Sequence, residues 1–386
     1  MKKTLFFILM FLVACLTIQA ETIVNPDKPA KGDWNFQPQK LWESGETGED
    51  ILTSGIRSIH IDANGDVYLH EGKAGRFIVF DAQGKFLRSF GRKGQGPGEI
   101  GQLLSFFLIG SNLIAAEMGK ISYFDKEGKF LRSEPVEGIK FPQFFLDDHR
   151  FIYSGEFSPD NPQAKARVFL YDLQSKTEKT LAEFTPSSSG VNVQRSQGGE
   201  SVVVMRIASL TPMMIVGGRD QRISFGFNSG YTLKTIDPQG KELLSFSLER
   251  PARPVSDTEK RNLMPNRGRP RIVVNSGGGG DGELPKEMLD NMIKGMPDTL
   301  TQFSGIHIDE RGYYYLAIPE ADSTKGYWYD IFSPQGKYLY RSRIQAPAGE
   351  QIVNNRIVFH ESHLYLLCEN EEGEIRLLKF KIALPV

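Results

Sequence analysis

Apolar and polar residues alternate in short runs along most of this chain, and the runs are punctuated by Gly close to Asp or Asn. Alternation sends successive side chains to opposite faces of a strand, and Gly accepts the positive φ of a tight hairpin turn. The pattern therefore predicts strand, turn, strand. The clearest phrase is FDAQGKFLRSF at 80–90, and nearly the same phrase returns at 124–134 as FDKEGKFLRSE. Further copies are IDPQGKELLSF at 236–246 and FSPQGKYLYRS at 332–342, with a degraded copy, YDLQSKTEKTL, at 171–181 where Ser175 replaces the Gly.

A second hairpin precedes the phrase. It reads SIHIDANGDVYLH at 58–70 and GIHIDERGYYYLA at 305–317, with weaker versions beginning at Ser105, Gln143, Pro212 and Arg356. Each repeating unit thus holds four strands, and a repeat near 45 residues marks units that stack on copies of themselves. The phrases are spaced by 44 and 47 residues and then by 65 and 96, so the fourth and fifth units carry insertions. The sixth unit stops after three strands, while NFQPQKLWESG at 35–45 belongs to no unit. Lending that segment to the sixth unit would close a ring and leave no free sheet edge. The expected fold is all-β: a six-bladed β-propeller of four-stranded antiparallel blades over 35–386, closed by an N-terminal strand. Residues 21–34 are expected as a linker.

The run GRFIVFDAQGKFLRSFGRKGQGPGEIG at 75–101, preceded by IRSIHIDANGDVYLHE at 56–71, resembles the NHL repeat of exported bacterial six-bladed propeller proteins. The resemblance implies the fold, and implies that 91–99 connects two blades; fold alone does not imply an activity. The least propeller-like part, at about 263–300, contains the run Gly277 to Gly280, expected as a surface loop. Beyond it, Met288, Leu289, Met292, Ile293 and Met296 follow helical spacing after Pro285. A short amphipathic helix is expected there, covering an apolar patch at the mouth of the axis or acting as a lid or partner site. The stretch 184–201 reads as a loop joining blades three and four.

The first 20 residues have a basic tip, an apolar run from Leu5 to Leu16 and a small-residue end at Ala20, the plan of a signal peptide. LVAC at 12–15 also fits a lipoprotein signal ending before Cys15, which would then be lipidated. Both readings export the protein to the periplasm or the medium, the second with a lipid anchor. Cys368 is the other cysteine, so no intrachain disulfide survives either processing, and its apolar run predicts a buried thiol. The net charge of −1 draws the chain to neither nucleic acid nor an anionic membrane, and 40% hydrophobic residues supply a large core.

Candidate chemistry is sparse. His60 and His307 occupy the same point of the inner strand in units one and five, where the other units align Phe107, Phe145, Met214 and Val358. Two His with a carboxylate could hold a divalent metal in the channel, although zinc catalysis asks for three protein ligands. DANGD at 62–66 lacks the spacing of a calcium loop, and GRKGQGPGE at 91–99 lacks the order of a phosphate loop, although Arg92 and Lys93 could face an anionic ligand. No hydrolase triad, HExxH or CxxC occurs. The reading is a monomeric, non-catalytic exported binding or scaffold protein without a cofactor. Its ligand, a protein, peptide or glycan, would be held by loops at one face and the channel mouth, with Arg92, Lys93, His60 and His307 as candidate contacts. The alternative is a metal-dependent propeller hydrolase or lyase with a channel site.

Overall fold

The computed structural model describes residues 21–44, 52–138, 140–155, 165–184, 209–263, 271–272, 282–283, 286–321 and 326–386. The Gly277 to Gly280 run, nearly all of the 184–201 loop and Cys15 lie outside them.

Three short strands come first: β1 (Ile23–Pro26), β2 (Asp33–Trp34) and β3 (Gln39–Ser44). Blade 1 follows with β4 (Ile56–Ile61), β5 (Val67–Glu71), β6 (Arg76–Phe80) and β7 (Phe86–Phe90). Blade 2 holds β8 (Leu103–Ile109), β9 (Asn112–Glu117), β10 (Lys120–Asp125) and β11 (Phe130–Pro135). Blade 3 holds β12 (Phe144–Phe145), β13 (Arg150–Gly155), β14 (Ala166–Asp172) and β15 (Thr177–Phe184). Blade 4 holds β16 (Met214–Arg219), β17 (Arg222–Phe227), β18 (Thr232–Ile236) and β19 (Glu242–Glu249). An insertion then carries α1 (Asp257–Leu263), the pair β20 (Arg271–Ile272) and β21 (Gly282–Glu283), and α2 (Lys286–Lys294). Blade 5 holds β22 (Gly305–Ile308), β23 (Tyr314–Ile318), β24 (Tyr327–Phe332) and β25 (Tyr338–Ile344). Blade 6 holds β26 (Glu350–His360), β27 (His363–Asn370) and β28 (Ile375–Lys381), with β3 as its fourth strand.

The turns explain the repeated phrase. The Asp81 carboxylate accepts the backbone N–H groups of Gln83 and Lys85, and Asp62, Asp237 and Asp309 close their turns in the same way. Each turn needs one residue of positive φ, and Gly84 supplies it at +85°. In the degraded copy at 171–181, Lys176 takes the left-handed conformation at +53° instead. Gly84 has a second duty. The Trp42 ring of β3 packs on it so closely that a Cβ would come within 2.6 Å of the ring. Phe90 of blade 1 sits likewise on Gly128 of blade 2, and Phe246 of blade 4 on Gly336 of blade 5.

The core lies between blades. Both faces of each sheet are apolar, and six buried clusters each join one blade to the next. The cluster that closes the ring joins Ile59, Val67 and Leu69 of blade 1 to Tyr365, Leu367 and Leu377 of blade 6. Closure by the N-terminal segment is as expected: β3 pairs antiparallel with β28, from Gln39 opposite Lys381 to Ser44 opposite Leu377.

The expected linker at 21–34 is instead a belt. β1 adds a parallel fifth strand to β19 of blade 4, and β2 adds one to β25 of blade 5. Outer sheet edges present unpaired N–H and C=O groups, and the belt satisfies them on two blades before it completes the third. Asp27 of the belt pairs with Arg250. Arg250 in turn donates at 2.5 Å to Asp330, a fully buried carboxylate that also accepts from Tyr231 at 2.7 Å and Tyr338 at 2.6 Å. This network ties blades 4 and 5 to the belt.

The insertion begins earlier than the expected 263. Its stem is zipped where Val255 N–H donates to Asp298 and Leu300 N–H to Arg253, and it carries two helices rather than one. α2 is the expected amphipathic helix, and Ile293 buries against Leu210, Val255 and Leu300. Ahead of α1, Ser256 and Glu259 exchange hydrogen bonds in a capping box. The buried Lys260 of α1 donates to Met296 O at 3.2 Å and Asp298 at 2.7 Å, capping the C-terminal end of α2. No helix among the described residues is long and apolar enough to cross a membrane.

Candidate functional site

Strands alternate in direction, so the connections that enter each first strand emerge at the same end of the ring as those joining second and third strands. The helical insertion, which runs from β19 to β22, is at this end. First strands line the axis and pack against one another from blade to blade, and the pair formed by β22 and β26 is the loosest of the six. A cleft of about 790 Å³ opens there, between blades 5 and 6. Its floor is aromatic. Tyr315 stacks on Phe359 at 5.1 Å, Tyr329 meets Phe359 edge-on at 5.2 Å, and His307 lies 5.6 Å from the same ring. The half-buried Tyr327 stands beside them, and burial raises its hydroxyl above the usual phenol range.

The rim is polar. Exposed Asn262, at the end of α1, and exposed Ser304 and Asn355 surround the opening. Asn355 owes its place to a wide bulge: Ile352 pairs with Cys368 and Ile357 already with Leu366, so four residues of β26 face one of β27. Asn355 takes a φ of +57°, which Asn tolerates better than most residues. Arg253 holds the insertion here by pairing with Glu259 of α1 at 2.9 Å and reaching Glu320, on the cleft wall after β23, at 3.6 Å.

The residues singled out from the sequence are not brought together. His60 packs on the next blade, 4.4 Å from Phe106, and His307 on Phe359 of the next blade. Burial, with Arg356 adding to it, pushes His60 down to about 4; burial, with Arg219 adding, does the same for His307. Both rings are neutral at pH 7. Of the two, only His307 lines the cleft. The positions equivalent to His60 are Phe107, Phe144, Gly217 and Val358, each opposite the second-strand residue that faces the next blade. Phe145 and Met214 are therefore corrected to Phe144 and Gly217. The cause is hairpin length: five residues separate the paired Ile61 and Val67 in blade 1, whereas two separate Arg219 and Arg222 in blade 4.

Arg92 and Lys93 lie in the connection between blades 1 and 2. Glu99 holds the exposed Arg92 at 2.7 Å and also accepts the Gly96 N–H, and Lys93 pairs through its backbone with Ile100. This segment is away from the cleft lining. Among the described residues, one cluster gathers three ligands of the kind metals take, Asp147, Asp148 and His149. Asp147 is committed there to Arg150 and to the N–H groups of its own turn. Cys368 is buried, and burial with Glu350 beside it raises its thiol well above the usual range.

The architecture defines a six-bladed β-propeller. A family model, DUF5128, described as a 6-bladed beta-propeller, matches residues 44–196. Among solved structures, the chain is similar to a protein of Bacteroides fragilis NCTC 9343 described as exported, with 16% identity and a TM-score of 0.55, covering 94% of this chain and 100% of that one. It is also similar to a DUF4221 family member of Bacteroides vulgatus ATCC 8482, with 12% identity and a TM-score of 0.54, covering 90% and 98%. At these identities the likeness is one of fold. No curated protein matches the chain.

Proposed function

We propose that this chain is an exported, non-catalytic propeller that binds a short glycan or peptide segment in the cleft between blades 5 and 6. The observation that carries the reading is the loose β22–β26 pair with an aromatic floor and a polar rim. Binding pockets are apolar clefts of about 300–1,000 Å³ with a few placed polar groups, and this one fits that description. Aromatic faces suit the apolar face of a sugar ring or a peptide side chain, and Asn262, Ser304 and Asn355 can orient either. The N-terminal signal supports export, and the protein of similar fold described as exported agrees with it. Mass spectrometry of the mature N-terminus separates cleavage after Ala20 from a lipidated Cys15. The alternative, a metal-dependent hydrolase or lyase using His60 and His307, draws no third ligand from the described residues.

The test is a thermal-shift screen of residues 21–386 against glycan and peptide libraries and divalent metals, because any ligand that prefers the native state raises its melting temperature. A hit whose affinity falls about tenfold or more in Tyr327→Ala supports the cleft. A hit indifferent to Tyr327→Ala places binding elsewhere. A metal response lost in His307→Ala would favour the enzyme.

A further inference from the structure

Arginine taken out of bulk water is almost always paired with an acid. Arg356 is half-buried and, among the described residues, has no such acid, and the exposed Arg57 stands near it. Arg57 and Arg356 stand on β4 and β26, the innermost strands of adjacent blades, which pack against each other. Each lies in a bulge, for the β4–β5 register slips between Ile56 and Ser58 and the β26–β27 register between Ile352 and Ile357. A bulge lifts a residue out of the ladder and re-aims its side chain. Arg57 is exposed at its tip while its stem lies across Gly72, where a Cβ would come within 2.4 Å of the arginine Nε. Arg356 is half-buried, and its Nε is shut from solvent with no hydrogen-bond partner among the described residues.

Among the described residues, neither guanidinium has a carboxylate within ion-pair distance. Burial lowers Arg356 from the usual arginine range, and the charge of Arg57 pushes in the same direction. On the blade 1 side, His60 beside Arg356 and His70 beside Arg57 are both held neutral at pH 7 by burial, and the Glu71 carboxylate is paired with Arg76. Two like charges thus stand on neighbouring inner strands with no carboxylate among the described residues paired to either.

We infer that Arg57 and Arg356 form a seat for an oxyanion, a carboxylate, phosphate or sulfate group carried by a ligand that enters the channel between blades 6 and 1. The guanidinium fork matches such groups bidentately, and an anion would satisfy the stranded Nε and relieve the repulsion together. Neither arginine lines the aromatic cleft, and the seat holds whether or not that cleft binds a glycan or peptide.

The experiment compares residues 21–386 with Arg356→Met and Arg57→Met by thermal shift. Sodium chloride is replaced at constant ionic strength by phosphate, sulfate or glucuronate. In chloride, Arg356→Met should melt at or above the wild type, since it removes an unpaired charge. The oxyanions should raise the wild-type melting temperature saturably, and either variant should weaken the midpoint about tenfold or more, the loss of one charge-assisted contact. The anion with the lowest midpoint identifies the group the ligand carries. Equal shifts in wild type and Arg57→Met, whose substituted side chain is exposed, would mean a general salt effect and overturn the seat. So would an Arg356→Met variant that melts well below the wild type in chloride, because Arg356 would then have a partner within the chain.

Discussion

Ring closure can be tested at a single contact, the one between Trp42 of β3 and Gly84 of blade 1. Gly84→Ala has two costs. A residue with a Cβ at φ +85° costs about 1–2 kcal/mol. The new methyl would also lie 2.6 Å from the Trp42 ring and 2.9 Å from Ser44 Oγ, and overpacking of that kind costs about 1–3 kcal/mol. Trp42 cannot simply step aside, since its indole N–H donates to Ala82 O at 2.9 Å and its ring meets Tyr365 edge-on. The variant should therefore lose about 2–5 kcal/mol. In a Trp42→Ala background the ring clash vanishes, the Ser44 hydroxyl can rotate away from the methyl, and the conformational part remains. Gly84→Ala should then cost only about 1–2 kcal/mol, leaving a coupling of about 1–3 kcal/mol. Urea unfolding of the four proteins followed by far-ultraviolet circular dichroism measures it. If Gly84→Ala costs the same in both backgrounds to within about 0.5 kcal/mol, the closing strand does not press on that turn and the packing argument fails.

Two further outcomes follow from buried groups. Asp330→Ala takes from Arg250 its buried carboxylate and from two tyrosine hydroxyls their acceptor, and should cost about 3–5 kcal/mol by urea unfolding; a loss under about 1 kcal/mol would mean the network contributes little. His60, His70 and His307 are each held near pH 4 by burial, so the unfolded chain binds protons that the folded ring refuses between about pH 6.5 and 4. Stability should fall as pH drops through that window, by about 2 kcal/mol per histidine between pH 7 and 5, and His70→Leu should remove one share. His70 tests this well because neither ring nitrogen has a hydrogen-bond partner among the described residues, so stability equal at pH 7 and 5 would refute the assignment.

The architecture was legible because propeller construction is local. The Asp that closes a turn, the Gly of positive φ and the alternating strands lie within a dozen residues of one another. The closing strand was legible for a different reason: the sixth unit was one strand short. The belt strands carry no such signal, since β1 is only IVNP and takes its meaning from an edge offered by Phe246 to Glu249. α1 had a signal that went unread, the S-x-x-E of Ser256 and Glu259. The cleft was illegible because its floor joins Tyr315 and Tyr329 of one blade to Phe359 of another, and as sequence all three are ordinary core aromatics. Arg57 and Arg356 were hidden likewise, because what distinguishes them is that neither meets an acid among the described residues, a property of three-dimensional surroundings. The misalignment of Phe145 and Met214 came from hairpins of unequal length, which shift a strand's facing without altering its alternation.

The belt also sets an order of events during synthesis. β1 cannot pair until β19 has emerged from the ribosome, β2 must wait for β25, and β3 for the last strand of all. The earliest-made part of the ring is thus the last to find its place, and until the chain is finished blade 1 has no neighbour on one side. Such distant pairings make folding slow and leave apolar faces open to aggregation meanwhile. A circular permutant that moves 21–44 to the end of the chain would place every strand next to a partner already made, so its refolding should be faster than that of the natural order.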